Sequence, residues 1–185
     1  ACVLAHDAKY VLYDGKDAYT LSDQQSPEKF AGRRVRITGT LDAKTKTIND
    51  NRMSVVDLST NPPRVIATLE TGASPAGVSI NRQGNLALVA NRGEGTVSAF
   101  TLSGKTVSPL GKIAVGPTNG GPCHAAFTPD GKMALITRDG DNFISVLSID
   151  GTKVEYTKRD LSAGMRPYGL DIAKNGAVAV VANIG

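Results

Sequence analysis

The chain has 185 residues, of which 41% are apolar and 21% are charged, and its formal net charge is +4. These proportions exclude an intrinsically disordered chain, and no apolar run approaches the roughly 18 to 20 residues that a membrane-spanning helix needs. The 20 glycines and the absence of tryptophan favour many short strands joined by tight turns, so we expect an all-β protein.

Residues 1 to 50 predict a small β domain with one short helix. Two apolar-rich runs flank Asp14-Gly15, a dipeptide typical of β-hairpins. Ser26 is a candidate helix N-cap, and Pro27 suits the first helical position. The run from Arg33 to Leu41 alternates polar and apolar residues, and residues 44 to 48 predict a last strand after a turn. The predicted order is hairpin, helix, hairpin.

The runs at residues 10–15, 19–24 and 30–42 resemble a small secreted bacterial domain of unknown function with an OB-like strand pattern. The resemblance covers residues 2 to 48, and it implies a periplasmic or extracellular location. In that family Cys2 would be the last of several cysteines, and the cysteine-bearing segment that lies upstream in the family is absent here. A single bridge between Cys2 and Cys123 stays open in an oxidising compartment.

Positive charge is scattered along the chain, with one local concentration at Arg33, Arg34 and Arg36. Binding to nucleic acid would need a basic face with stacking aromatic side chains beside it, which this pattern lacks. We therefore interpret the three arginines as the solvent side of a strand, and nucleic acid is not an expected partner.

Residues 51 to 185 contain three copies of one pattern. The prolines of its Gly-x-x-Pro-type loop, Pro75, Pro122 and Pro167, lie 47 and 45 residues apart, and the turn glycines keep the same intervals. Each copy is divided into four short strands: one such as Met53–Leu58, a second that leads to the loop, a short strand after the loop, and a buried apolar strand. A period in the forties with four strands is typical of a β-propeller blade, so we expect about three four-stranded blades, a partial propeller.

The segments Val89-Ala-Asn-Arg, Gly121-Pro-Cys-His-Ala-Ala-Phe-Thr-Pro-Asp-Gly-Lys and Val181-Ala-Asn resemble YVTN-type and lactonase-like β-propeller repeats. The resemblance covers nearly all of residues 51 to 185. It implies a propeller fold and makes hydrolysis of sugar lactones one candidate activity, although propellers host many unrelated functions.

Natural propellers close at about four to eight blades, so three blades leave sheet edges open. Three readings follow. The chain is a piece of a longer propeller, which is the reading we favour; it completes a ring with other chains; or its N-terminal strands cap one edge.

His124 follows Gly121-Pro-Cys in the loop that enters a strand, where lactonase-like sequences carry a similar histidine. It is therefore the candidate for substrate contact or general-base catalysis. No second residue at fixed spacing holds its tautomer, so a structural role for His124 is the alternative.

Arg92, Arg138 and Arg166 come from equivalent or nearby loops, and we predict that they bind a small anionic ligand together with His124. Arg92 and Arg138, 46 residues apart, would be neighbours around the ring. The alternative is that these arginines pair with acidic residues at the surface, for which the candidates are Asp139, Asp141 and Glu94.

The sequence has no phosphate-binding loop, dinucleotide fingerprint, zinc spacing or nucleophile elbow, and it predicts no cofactor and no metal site. The leading interpretation is a secreted propeller module that binds a protein or a small anion. A lactonase-like hydrolase and a structural subunit assembled through open strand edges are the alternatives. Whether the protein is an enzyme is left open.

Overall fold

The computed structural model describes residues 10–21, 40–42 and 47–185, and the chain divides into two compact units, residues 1–51 and 52–185. The described residues form strands and no helix. The predicted helix at Ser26, the arginines at 33, 34 and 36, and Cys2 lie outside these ranges. No helix in the described ranges is long and apolar enough to cross a bilayer.

The described residues of the first unit form a four-stranded sheet in the order β1-β2-β4-β3. Its strands are β1 (Val11–Tyr13), β2 (Ala18–Leu21), β3 (Thr40–Asp42) and β4 (Thr47–Asn49). The predicted hairpin around Asp14 is confirmed, because Tyr13 pairs with Ala18. Its loop has four residues, and the Asp14 carboxylate accepts hydrogen bonds from the backbone N–H groups of Lys16 and Asp17 at 2.9 and 2.8 Å, which replaces a two-residue turn.

The second unit contains two complete four-stranded antiparallel sheets and two strand pairs. The first pair is β5 (Arg52–Asp57) and β6 (Arg64–Glu70). The first complete sheet is β7 (Pro75–Ile80), β8 (Leu86–Asn91), β9 (Thr96–Ser103) and β10 (Thr106–Ala114). The second is β11 (Pro122–Phe127), β12 (Met133–Arg138), β13 (Phe143–Asp150) and β14 (Lys153–Ser162). The last pair is β15 (Pro167–Ile172) and β16 (Ala179–Asn183). These are propeller blades, two whole and two half.

The boundary of a blade differs from the boundary of the sequence repeat. The sequence predicts one blade for each repeat, but the sheets that begin with β7, β11 and β15 each start at the strand after the Gly-x-x-Pro-type loop, halfway through the repeat. The half-blade β5–β6 matches the two outer strands of a complete blade, and β15–β16 matches the two inner strands. The total of twelve strands equals three blades, as predicted.

The inner strands of successive blades lie against one another. A Cβ atom built on Gly77 of β7 would stand 2.4 Å from the carbonyl oxygen of Cys123 in β11, so only glycine permits this approach. Between the next two blades, the Thr137 hydroxyl of β12 donates to the carbonyl oxygen of Tyr168 in β15 at 2.6 Å. The blades therefore fan out from the side on which β7, β11 and β15 lie.

The main core fills the space between the two complete blades. It is formed by short apolar side chains that point from the sheets toward each other, namely Leu86, Leu88, Val97, Ala99, Val115, Ala125, Ala134, Ile136, Leu147 and Ile149. A smaller cluster of Ala87, Val89 and Phe100 packs against Met53 and Leu69 of the half-blade β5–β6. Alternate residues of β8 thus serve two interfaces, which explains why its run Leu86–Asn91 is buried throughout.

Candidate functional site

One end of the blades collects all the loops that carry the predicted site residues. The inner strands β7, β11 and β15 begin at this end, and their antiparallel partners β8, β12 and β16 finish at it. This end therefore carries the loops before β7, β11 and β15 and the turns β8–β9 and β12–β13. We call this the loop end. The opposite end carries the tight turns after β7, β9, β11 and β13.

The loop that enters each inner strand has the same backbone geometry in all three copies. The residue before the proline has a positive φ angle, and its carbonyl oxygen accepts a hydrogen bond from the N–H group that follows the partner strand. The residues before the prolines are Ser74 (φ 51°), Gly121 (65°) and Arg166 (52°). The donors are Arg92, Asp139 and Ile184, at 3.0, 3.0 and 3.1 Å.

This geometry corrects the equivalence of two arginines. Arg92 corresponds to Asp139 and Ile184, whereas Arg138 corresponds to Asn91 and Asn183, each of which pairs with the proline of its blade. An interval of 46 residues therefore joins two different structural positions, since the period at this point is 138 − 91 = 47. Arg92 and Arg138 therefore do not occupy equivalent positions in successive blades.

Arg138 lies inside its blade, with only 3% of its side chain exposed. Its guanidinium donates to the carbonyl oxygen of Val115 and to the Ser145 hydroxyl, the latter at 2.8 Å. It also binds the carboxylates of Asp141 and Asp160 at 2.8 and 2.9 Å. Its donors are thus occupied by protein groups, which is the pairing that the sequence left as the alternative.

Burial by itself would lower the pKa of Arg138. The hydrogen bond to Asp141 and the charges of Asp141 and Asp160 outweigh this effect, so the pKa is raised above its ordinary value. The side chain is therefore a charged part of the core that ties β12 to the outer strands of its blade.

Arg92 and Arg166 share one buried carboxylate. Asp139, whose side chain is 2% exposed, binds Arg92 at 2.7 Å and lies 3.6 Å from the nearest guanidinium nitrogen of Arg166. The side chains of the two arginines are 47% and 50% exposed. The hydrogen bonds that Arg92 donates to the Asp139 carboxylate raise the pKa of Arg92 above its ordinary value. We call these three residues the arginine pair site.

The arginine pair site carries a net charge of +1, because one carboxylate faces two guanidinium groups. A guanidinium has five N–H donors, and a half-exposed one keeps some of them directed at solvent. Such donors bind carboxylate and phosphate oxygens with good geometry. The backbone of Arg166 is fixed as well, since its N–H donates to the Asn142 side-chain oxygen at 2.7 Å.

His124 lies in β11 and pairs with Thr137 of β12. Thr137 precedes Asp139 by two residues along the chain. The His124 side chain is half-buried, and within the described ranges it makes no hydrogen bond or ion pair. The loop end therefore brings Arg92 and Arg166 together at Asp139, whereas His124 lies in β11 and Arg138 lies in the blade interior.

The neighbour of His124, Cys123, is a buried free thiol. Burial raises its pKa, and its sulfur lies 3.4 Å from the carbonyl oxygen of Pro167. The bridge to Cys2 that the sequence left open is accordingly not formed at Cys123.

The sequence named Asp139 among the acidic residues that could pair with these arginines, but it did not predict that Asp139 would face both Arg92 and Arg166. The available signal was a change of charge at one repeat position, where arginine in the first copy becomes aspartate in the second. A change of this kind between adjacent blades places opposite charges side by side.

Solved structures similar to this chain are β-propellers. A candidate 6-phosphogluconolactonase from Bacteroides uniformis aligns with a TM-score of 0.63 at 13% identity and covers 94% of this chain and 49% of its own length. The periplasmic gluconolactonase PpgL from Pseudomonas aeruginosa aligns with a TM-score of 0.62 at 18% identity, covering 72% and 41%. Hydrazine synthase from Kuenenia stuttgartiensis aligns with 0.57 at 22%, covering 65% and 33%.

These similarities establish the propeller fold, and the range of activities among the neighbours agrees with the rule that fold does not fix function. The chain spans between a third and a half of the length of these proteins. No protein-family model and no curated protein sequence matches the chain.

Proposed function

We propose that this chain is part of a lactonase-like hydrolase that acts on a sugar lactone at the loop end. The observation that carries the proposal is the arginine pair site, where two half-exposed guanidinium groups are held by one buried carboxylate. Two of the similar structures described above bear lactonase names, which supports this choice among the activities that propellers host.

The chemistry fits such a site. Hydrolysis adds water to the lactone carbonyl carbon, breaks the ring C–O bond, and leaves a hydroxy acid that is an anion at neutral pH. Guanidinium donors stabilise the oxyanion that develops on the carbonyl oxygen and also bind a carboxylate or phosphate group on the sugar. In this scheme His124 accepts a proton from the attacking water, and the ring oxygen takes up a proton as it leaves.

The test separates binding from catalysis. Hydrolysis of glucono-δ-lactone and of 6-phosphogluconolactone is followed by pH-stat titration, and binding of gluconate and 6-phosphogluconate by calorimetry. We expect Arg92→Met and Arg166→Met each to weaken binding at least tenfold, since a hydrogen bond to a charged group contributes about 1.5–3 kcal/mol. We expect His124→Ala to abolish hydrolysis and to retain binding.

Lys153→Met is the matched control, because Lys153 is an exposed cation beside the turn that joins β13 and β14, at the opposite end of the blade. It should change neither binding nor hydrolysis. Absence of both binding and hydrolysis in the unsubstituted chain, or equal losses with Lys153→Met, would overturn the proposal.

A binding module without catalysis is the second candidate function. It is favoured by one observation, namely that within the described ranges no carboxylate orients the His124 imidazole. Binding of the two acids without any hydrolysis would select this candidate over the hydrolase.

We further propose a periplasmic or extracellular location, supported by the name of the Pseudomonas neighbour. Immunodetection in separated cell fractions of the source organism tests it, and confinement to the cytoplasmic fraction would contradict it.

A further inference from the structure

We infer that the two arginines of the arginine pair site have different roles. Arg166 contacts the anionic group of the ligand. Arg92 is a positioning residue that keeps the Asp139 carboxylate occupied, so that the guanidinium of Arg166 stays available. The inference rests on the anion binding proposed above and is independent of hydrolysis.

The two arginines make unequal contacts with Asp139. Arg92 donates through two nitrogens, from Nε to one carboxylate oxygen at 3.2 Å and from Nη2 to the other at 2.7 Å. The nearest nitrogen of Arg166 lies 3.6 Å from the same carboxylate, which is too far for a hydrogen bond. Both oxygens of Asp139 therefore accept from Arg92, and Arg166 is attracted to the carboxylate by charge alone.

The guanidinium of Arg166 keeps its donors for other partners. It makes no hydrogen bond to any residue in the ranges 10–21, 40–42 and 47–185, and its side chain is half-exposed. A guanidinium donates two parallel N–H bonds to one carboxylate or phosphate group. Arg92 has already directed such a pair of donors at Asp139. Arg166 is therefore the arginine that can bind an anion in this bidentate way.

The backbone fixes where the Arg166 side chain begins. Its φ angle of 52° is in the left-handed region, where the equivalent residues of the other copies are Ser74 and Gly121. This conformation is uncommon for an arginine and persists where neighbouring contacts hold it. Here the N–H of Arg166 donates to the Asn142 side-chain oxygen at 2.7 Å, and its carbonyl oxygen accepts from Ile184 at 3.1 Å. The loop thus presents a half-exposed guanidinium from a fixed base.

Asp139 also has a fixed position. Its N–H donates to the carbonyl oxygen of Gly121 at 3.0 Å, and a Cβ atom built on Gly121 would stand 2.4 Å from its carboxylate oxygen. The loop before β11 therefore packs directly against this side chain. If the distance between Asp139 and Arg166 shortens, the flexible arginine side chain is the part that moves.

Asp139 would compete with a ligand for Arg166 if Arg92 were removed. A buried carboxylate without a partner is costly, and the side chain of Asp139 is only 2% exposed. Moving the nearest nitrogen of Arg166 from 3.6 Å to about 2.8 Å would form a charge-assisted hydrogen bond. Donors bound to Asp139 in this way are lost to the ligand. Arg92 prevents this capture by filling both carboxylate oxygens.

The first test measures the availability of each guanidinium and needs no ligand. Phenylglyoxal modifies accessible arginine side chains, and peptide mass spectrometry gives the rate at each position. In the unsubstituted chain we expect Arg166 to react faster than Arg92. In Arg92→Met, Arg166 should react about tenfold more slowly, because a hydrogen bond to a charged group then holds it. The double variant Arg92→Met/Asp139→Asn should restore the rate.

Two further variants sharpen this test. Arg92→Lys keeps a cation beside Asp139 and should slow the labelling of Arg166 less than Arg92→Met does. Lys105→Met is the matched control, because the equally buried Asp57 lies 2.8 Å from Lys105 and 3.9 Å from Arg64, beside the turn after β9 at the opposite end. It should leave the labelling of Arg166 unchanged. No effect of Arg92→Met, or an equal effect of Lys105→Met, would overturn the role of Arg92.

The second test measures gluconate binding by calorimetry in two double variants that keep the net charge of the site. Arg92→Met/Asp139→Asn should bind as the unsubstituted chain does, since Arg166 is free. Arg166→Met/Asp139→Asn should stay about tenfold weaker, since the residue that contacts the anion is missing. Equal recovery in both would mean that net charge alone matters, and no recovery in the first would mean that Arg92 contacts the ligand. Either result would overturn the inference.

The outcomes also separate this inference from the proposed function. If the unsubstituted chain binds no gluconate while the labelling pattern holds, the proposed function and the ligand contact of Arg166 are both wrong, and the positioning by Arg92 stands. If binding is intact but the labelling pattern fails, only the role of Arg92 is wrong. Circular dichroism checks that each variant is folded. Should Arg92→Met not fold, the isosteric Asp139→Asn decides, since it should speed the labelling of Arg166 and retain gluconate binding, and the opposite result would overturn the inference.

Discussion

Replacing Arg138 by methionine tests the interpretation that this arginine is a structural part of the blade. Methionine keeps much of the side-chain volume but removes every donor. The carboxylates of Asp141 and Asp160, the carbonyl oxygen of Val115 and the Ser145 hydroxyl would then lose their common partner. We expect a large loss of stability for this single substitution.

The magnitude follows from the burial of these groups. Removing one member of a buried ion pair costs about 3–5 kcal/mol. The side chains of Asp141 and Asp160 are 22% and 25% exposed, so water can replace part of the lost interaction, which favours the lower end, about 3 kcal/mol. For a chain of this size, each kcal/mol lowers Tm by about 2–4 °C, so we expect a decrease of about 6–12 °C.

Urea unfolding followed by circular dichroism gives the free energy of unfolding, and a thermal melt gives Tm. The control is Lys112→Met, which removes an exposed ion pair with Glu94 and should cost about 1 kcal/mol or less. Arg138→Met protein that stays folded should bind gluconate as the unsubstituted chain does. Equal costs for the two substitutions would refute the structural role, and a selective loss of binding would return Arg138 to the ligand site.

Three further predictions concern the backbone, pH and thiol chemistry. Gly121→Ala should lower the free energy of unfolding in urea by about 1–3 kcal/mol, because the position has a positive φ angle and the Asp139 side-chain oxygen lies 2.4 Å from the added Cβ atom. Gly104→Ala is the control, since Gly104 has a similar φ angle and open space around the added Cβ atom, and it should cost less. Equal losses for the two substitutions would contradict the steric argument. The pKa of Asp57 is lowered from 3.8 to about 2, chiefly by the hydrogen bond from Lys105, so the stabilisation by the Asp57 carboxylate is present above pH 3.8 and is lost as the pH falls to about 2. Asp57→Asn should therefore reduce the dependence of the free energy of unfolding on pH in this window. An unchanged pH dependence would contradict this prediction. In a Cys2→Ser background the buried thiol of Cys123 should not react with Ellman's reagent at pH 8 until urea is added, and fast labelling of the folded chain would disprove its burial.

The strands and the fold of residues 51 to 185 could be predicted from the sequence because two independent markers, the loop proline and the turn glycine, repeat at the same intervals. The position within the repeat at which a blade begins could not be predicted. A period does not say where a unit begins, and the connection from β6 to β7 looks the same in sequence whether or not the two strands share a sheet. Hydrogen bonds decide this, and they join β7 to β8 and β8 to β9 but not β6 to β7.

The site was predicted in part for a related reason. Arg92 and Arg138 stand one residue apart in the repeat, and successive residues at the end of a strand project in different directions. Arg92 therefore reaches the exposed loop end, and Arg138 enters the blade where the first copy carries the shorter Asn91. The role of Asp139 depended on contact between adjacent blades, which no spacing within one copy reveals.

The offset between repeat and blade also bears on how such chains change in length over evolution. Each repeat ends in one sheet and begins in the previous one, so it links two blades covalently. Deleting or duplicating a whole repeat would join matching halves from different blades and leave every sheet with four strands. Gene-level changes of this kind could alter the circumference of the ring without exposing a broken sheet, and the number of blades is then set by closure geometry more than by any single blade.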